Sequence, residues 1–185
     1  MYASRPRLKI LIVSDAWEPQ INGVVRTYQH IITHLQAMGH EVQVIGPKRF
    51  VNTAMPGYGE IRLALMPYYR LKGFIKKFKP DAIHIAVEGP LGWAARKYCM
   101  LKHIPFTTSY HTHFPDYVAK RVPFAKDRAR EHAINHVRKF HAPAASVMVA
   151  TESLEKDLRG FGFQNPFRRL SRGIDPAVFK PVEEP

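Results

Sequence analysis

The chain has 185 residues, enough for one domain with a full core and too few for two of ordinary size. Hydrophobic residues make up 45%, no apolar run is long enough to cross a bilayer, and the single cysteine excludes an intramolecular disulfide and speaks against a cysteine-based metal site. With 28 Lys and Arg against 15 Asp and Glu the formal net charge is +13, which attracts nucleic acid, an acidic membrane surface or phosphorylated substrates without choosing among them.

"MYASRPRLKILIV" starts basic but has no long apolar region and no small-residue cleavage site, so no secretory leader is expected and the cytoplasm is the expected location. "LKILIVS" (8–14) reads as the first strand. "VVRTYQHIITHLQAM" (24–38) places Val24, Tyr28, Ile31, Leu35 and Met38 on one helix face, and Gly39 follows as its stop. "EVQVIG" (41–46) is a strand, and the alternating "EIRLALM" (60–66) is expected to continue the sheet. "LKGFIKKF" (71–78) is a short helix weakened by Gly73. "AIHIAV" (82–87) is a strand. "LGWAARKYCMLK" (91–102) is a helix with Pro90 at its first turn and Cys99 as a buried structural thiol. A strand over 105–110, a polar-faced helix over 125–142, a strand over 146–151, a helix over 152–162 capped by Thr151 and a short strand over 167–173 complete the pattern.

Strands alternating with helices predict an α/β fold: a doubly wound, mostly parallel, Rossmann-like sheet with helices on both faces, over residues 1–172. The proline-bearing tail 173–185 reads as a linker. In such a sheet ligands bind beyond the carboxyl ends of the strands, which selects the loops after residues 14, 46, 66, 87, 110 and 151.

The first loop, "DAWEPQINGV", is no dinucleotide-binding turn, because its one glycine comes late and Trp17 and Pro19 add bulk. Asn22 and Gly23 stand just before a helix, where an anion can meet exposed amides, or where they serve only as cap and turn. Glu88 stands at a strand end, able to accept from a sugar hydroxyl or to complement the helix that follows. In "SYHTHFPDYV" (109–118), His111 and His113 share a face if the chain stays extended, and Asp116 alone is near enough in sequence to join them on a metal, so none is expected. In "YRLKGFIKKFK" (69–79), Leu71, Phe74, Ile75 and Phe78 lie on one side and Arg70, Lys72, Lys76, Lys77 and Lys79 elsewhere, as in a helix that packs on the sheet or lies on an anionic membrane.

Residues 9–47, 87–99, 107–118 and 171–181 resemble, in this order and near these spacings, the N-terminal half of the retaining glycosyltransferases of family four, with lipid-directed mannosyl- and sulfoquinovosyltransferases as the nearest members. The resemblance implies one domain of the two-domain GT-B fold. The N-terminal domain of that fold binds the acceptor, a lipid or glycan, and the C-terminal domain binds the nucleotide sugar, GDP- or UDP-linked. It places Asn22, Gly23 and Val24 at the donor phosphates and reaction centre. His111 falls at the transferred hexose as the catalytic residue, acting by positioning and electrostatics and not as a nucleophile. Trp17, Glu88, Tyr110, His113, Asp116 and Tyr117 fall toward the acceptor. Arg70, Lys72, Lys76, Lys77 and Lys79 face an anionic membrane, and the protein is peripheral on its inner face. It requires no metal and no cofactor besides the nucleotide-sugar co-substrate. On this reading the chain is a half-enzyme, inactive until a C-terminal donor domain, in the same chain or a partner, completes it.

The rival reading is a stand-alone basic module that binds nucleic acid or an anionic membrane. The basic residues are scattered over several helices without a recognised nucleic-acid motif, so nucleic acid is not expected as a partner.

Overall fold

The computed structural model describes residues 6–55, 58–111, 126–171 and 173. Six parallel strands form the main sheet: β1 (Lys9–Val13), β2 (Glu41–Ile45), β5 (Ala82–Ile85), β6 (Thr107–Tyr110), β7 (Ser146–Val149) and β8 (Phe167–Arg169), in the order β2-β1-β5-β6-β7-β8. The helices are α1 (Gly23–Ala37), α2 (Tyr68–Phe78), α3 (Pro90–Leu101), α4 (Lys126–His141) and α5 (Glu152–Gly160). The doubly wound α/β expectation holds. The linker assigned to 173–185 lies, but for Gly173, outside the described residues.

Side-chain alternation along the strands sorts the core into two faces. Leu11 and Val13 of β1 and Ile83 and Ile85 of β5 point toward α2 and α3, where they meet Leu71, Ile75, Leu91 and Ala95. Ile10 and Ile12 point the other way, toward Tyr28 of α1. Beyond β6, Val137 of α4 and Leu154 and Leu158 of α5 close on Val147 and Val149. Central strands buried on both faces need nearly continuous apolar runs, which is what "KILIV" supplies.

Two local expectations change, and one open alternative is decided. The strand expected over 60–66 does not join the main sheet. It is β4 (Tyr58–Ala64), paired antiparallel with an unanticipated β3 (Asn52–Met55) in a separate two-stranded ribbon. A strand that carries Arg62 on its open face cannot be buried on both sides. Arg62 instead spans the ribbon to Asn52, with Nε 2.7 Å from Oδ1. The loop after 66 therefore does not leave a strand of the main sheet. Second, α1 buries Val25 and Tyr28, while Met38 is its exposed C-cap; Gly39 next to it takes φ 89°, the left-handed turn that favours glycine. Of the two readings left open for α2, packing on the sheet holds for its apolar side: Leu71 and Ile75 are buried and Phe74 and Phe78 pack on the same cluster. Burial stabilises by about 1.5–3 kcal/mol for each large aliphatic side chain, more than the ~1 kcal/mol a lysine gains near an anionic surface, so the core keeps this face. Cys99 is buried, as expected.

Gly92 in the first turn of α3 has the Val87 carbonyl where a Cβ would sit, with Ile85 and Phe140 close behind. Gly73 in α2 has open space around it. Gly92→Ala should destabilise the chain by about 1–3 kcal/mol through overpacking, and Gly73→Ala should stabilise it by up to about 1 kcal/mol. Thermal or urea unfolding of the two variants checks both signs.

Candidate functional site

The strand order turns back on itself at β1: β2 lies on one side of it and β5 on the other. The loops leaving β1 and β5 diverge there, which opens the crevice where such sheets bind ligands. Ser14 and Asp15 follow β1, Glu88 follows β5 and His111 follows β6, so the structure gathers these at one edge.

Asp15 fixes the geometry of that edge. Its Oδ1 accepts from Leu91 N at 3.0 Å and its Oδ2 from Gly92 N at 3.1 Å. The N-cap residue of α3, Gly89, has no side chain to do this, and its missing Cβ leaves room for the Asp15 carboxylate. Burial pushes the Asp15 carboxyl up to about 6, overcoming the amide bonds that favour the anion, with the Glu88 charge adding to the rise. Gln20 Nε2 donates to the Asp15 carbonyl at 3.0 Å, and Asn22 Nδ2 donates to Gln20 Oε1 at 3.1 Å, which braces the loop.

Asn22 is the N-cap of α1, with Oδ1 accepting from Val24 N and Val25 N at 3.0 Å each. An anion arriving at Asn22, Gly23 and Val24 therefore competes with this cap. Trp17 is half-buried against Gly46, where a Cβ would lie 2.9 Å from the indole Cδ1. Glu88 does not cap α3, since Asp15 does. Its Oε1 is 2.9 Å from His141 Nε2, and His141 Nδ1 is 2.8 Å from Thr108 Oγ1. The carboxylate only accepts, so His141 donates through Nε2. Tyr110 is 1% exposed and packs with Val137, Val147 and Val149. Strand alternation turns Tyr110 away from the face that carries Ser109 and His111.

On that face a polar cluster is built around Tyr28. Its hydroxyl oxygen lies 2.7 Å from His84 Nε2, 3.0 Å from Ser109 Oγ and 3.2 Å from His111 Nε2. His84 Nδ1 is 2.8 Å from Thr107 Oγ1. Burial, with the nearby His111 ring, lowers the His84 pKa to about 3, so the ring is neutral. His111 itself is only half-buried. His113, Asp116 and Tyr117 lie outside the described residues. Asp15, Tyr28, His84, Ser109 and His141 escaped the sequence reading as site residues. The available signal was polar residues inside otherwise apolar strands, such as His84 in "AIHI". Among the described residues no cluster of His, Cys, Asp and Glu is placed to hold a metal ion. No helix among them is long and apolar enough to cross a membrane.

A six-stranded parallel sheet in this order, with helices packed on it, defines a Rossmann-like α/β domain. The chain belongs to Glycosyltransferase Family 4, which it matches over residues 21–178. It is 27% identical to the sulfoquinovosyl transferase SQD2 of Arabidopsis thaliana, over 96% of this chain and 37% of that protein. It is 32% identical to the alpha-monoglucosyldiacylglycerol synthase of Acholeplasma laidlawii, over 93% of this chain and 48% of that protein. Its fold matches sucrose-phosphate synthase of Thermosynechococcus elongatus with a TM-score of 0.61 at 20% identity, over 95% of this chain and 51% of that one. The chain spans about half the length, or less, of these proteins.

In the folded chain Asp15 holds its proton more tightly than at its ordinary value of 3.8. Its contribution to stability is therefore greatest below about pH 4 and is lost as pH rises through about 6, by roughly 3 kcal/mol in all. The unfolding free energy of the unaltered chain minus that of Asp15→Asn should fall by that order between about pH 4 and pH 7. A difference that does not vary with pH would put Asp15 at an ordinary carboxylate value.

Proposed function

We propose that this chain is the acceptor-binding half of a retaining glycosyltransferase that moves a hexose from a GDP- or UDP-linked donor to a lipid at an anionic membrane surface, with the donor bound mainly by a second domain. The observation that carries it is His111 held at the carboxyl edge of the sheet in a chain of this family. Transfer breaks the bond between the sugar's anomeric carbon and the donor phosphate oxygen and forms one to the acceptor oxygen, whose hydroxyl proton passes to the departing phosphate, through an oxocarbenium-like transition state. Orienting the sugar and the acceptor is most of what a protein can add to such a step, and His111 does this through its ring nitrogens. Asn22, Gly23 and Val24 stand where the departing phosphate would meet the start of α1. Glu88, braced by His141, offers an oriented carboxylate to a hydroxyl. Trp17, His113, Asp116 and Tyr117 complete the acceptor side.

The membrane contact rests on charge. With the apolar side of α2 turned inward, Arg70, Lys76, Lys77 and Lys79 are exposed and Lys72 is half-buried. Beside them Met66 and Tyr69 are 89% and 79% exposed, apolar groups that can enter the headgroup layer. The names of the two relatives above, which carry sulfoquinovosyl and diacylglycerol, favour a glycolipid product here too.

His111→Ala in a chain joined to a matching donor domain should lower turnover about a hundredfold, while changing stability by no more than about 1 kcal/mol. The unjoined chain gives the inactive baseline. Retained turnover with a large loss of melting temperature would make His111 a core residue. Replacing Lys72, Lys76, Lys77 and Lys79 by Gln should weaken sedimentation with phosphatidylserine-containing vesicles at low salt, and less so at high salt where screening already acts. Undiminished sedimentation at low salt would remove these lysines from the membrane contact.

A further inference from the structure

The corner between β1 and β5 is closed to phosphate in two ways. The first-turn amides of α3, which would otherwise hold an anion, are taken by Asp15. Beside them stands Glu88, whose charge acts after burial to raise the Asp15 carboxyl. Among the described residues its ion-pair partner is His141 and no lysine or arginine. His141, at the end of α4, is fully buried. Its ring lies among Phe140, Tyr110 and Phe163, with centroids 5.0, 5.9 and 5.8 Å away. The backbone beneath it is also held: Asn165 Nδ2 donates to the His141 carbonyl at 3.0 Å, and Arg96 Nε to the Phe140 carbonyl at 2.9 Å. On the ring, Nε2 meets Glu88 Oε1 at 2.9 Å and Nδ1 meets the buried Thr108 Oγ1 at 2.8 Å. An ionised carboxylate only accepts, so Nε2 carries a proton whether the ring is neutral or charged, and the rotating Thr108 hydroxyl suits either state of Nδ1. Oε1 is thus tied to the interior. Oε2 has no partner among the described residues, and the Glu88 side chain is 24% exposed.

We propose that Thr108 and His141 are positioning residues that hold Glu88 by one oxygen and leave the other, Oε2, to accept a hydroxyl from an acceptor headgroup that carries no phosphate at this corner. The headgroup clause rests on the function proposed above; the brace does not. A glutamate on a strand-end loop loses side-chain freedom when a ligand binds it, and one already held at Oε1 has less to lose. The brace therefore acts on the binding of the acceptor. A fixed negative charge with no spare amide beside it repels a phosphate and suits a hydroxyl, which has a proton to give.

Long-range proton–nitrogen correlation on the unaltered chain with labelled histidine rings, at about pH 7 where an ordinary carboxylate is ionised, should show a proton on His141 Nε2, the ring being assigned through its own backbone amide. An Nε2 without a proton overturns the brace. In the chain joined to a donor domain, His141→Gln puts an amide nitrogen where Nε2 stands and His141→Asn puts one where Nδ1 stands; both lose the ring. The acceptor KM should rise about tenfold in His141→Asn and less than about threefold in His141→Gln, with the donor KM unchanged in both. Equal acceptor KM in the two, per folded molecule, makes His141 a packing residue and overturns the brace. Glu88→Gln leaves the core alone. It should shift turnover from diacylglycerol and monoglucosyldiacylglycerol toward phosphatidylinositol by about tenfold, each offered in the same phosphatidylserine vesicles so that surface charge is equal. An unaltered enzyme that prefers phosphatidylinositol, or a ratio that Glu88→Gln does not move, overturns the headgroup clause. If the joined chain glycosylates none of the three, the proposed function and the headgroup clause fail together, and the proton on Nε2 decides the brace.

Discussion

The carboxyl edge of the sheet depends on one carboxylate placed between two backbone amides. Asp15 leaves the end of β1 and closes the start of α3, a helix that begins 75 residues later in the chain. Without a side chain at Gly89, the first turn of α3 has no local means of satisfying its amides, and buried unsatisfied donors cost about 1–3 kcal/mol each. The clamp therefore decides where β5 ends, where Glu88 stands and how close α3 approaches the sheet. It also closes the positive end of α3 to outside anions. Asn22 does the same locally for α1, so a phosphate that uses either turn must displace a bonded side chain.

The interior is polar in an ordered way. The period of two along β6 sends Thr107 and Ser109 to one face, with Tyr28 and His84, and Thr108 to the other, with His141 and Glu88. Two hydrogen-bonded threads thus cross the middle of a parallel sheet, one on each face, and each ends at the carboxyl edge. Apolar residues at His84 and His141 would bury with less penalty. Their use instead fixes side-chain orientation where rotation would blur a binding geometry.

What the sequence revealed followed from periodicity and punctuation. "KILIV" and "AIHI" read as central strands, Gly39 and Pro90 as helix ends and Thr151 as a cap, which accepts from Leu154 N at 3.2 Å. The strand-end positions of Glu88 and His111 followed from the same reading. The ribbon was missed because "NTAM" has no alternation of its own and pairs by virtue of its partner. Asp15, His84 and His141 were missed because their partners are far away in the chain. A histidine within an apolar strand reads alike whether it is braced by a tyrosine from α1 or merely tolerated. Tyr110 adjoins His111 in sequence yet lies on the other face of the sheet, because adjacency along a strand means opposite faces.

The β3–β4 ribbon and α2 lie between two neighbours of β1 yet contribute no strand to the main sheet. The segment from Pro47 to Phe78 behaves as an excursion whose ends are pinned by β2 and β5, with Phe50, Leu71 and Ile75 as its anchors in the core. Mutational drift there is free of the register that ties the six parallel strands together. Asp15 and His84 take their hydrogen-bond partners from the loop after β1, from α1, β6 and α3, all outside this segment. A change of surface in this one segment therefore leaves the strand-end hydrogen bonds of Asp15 and His84 intact.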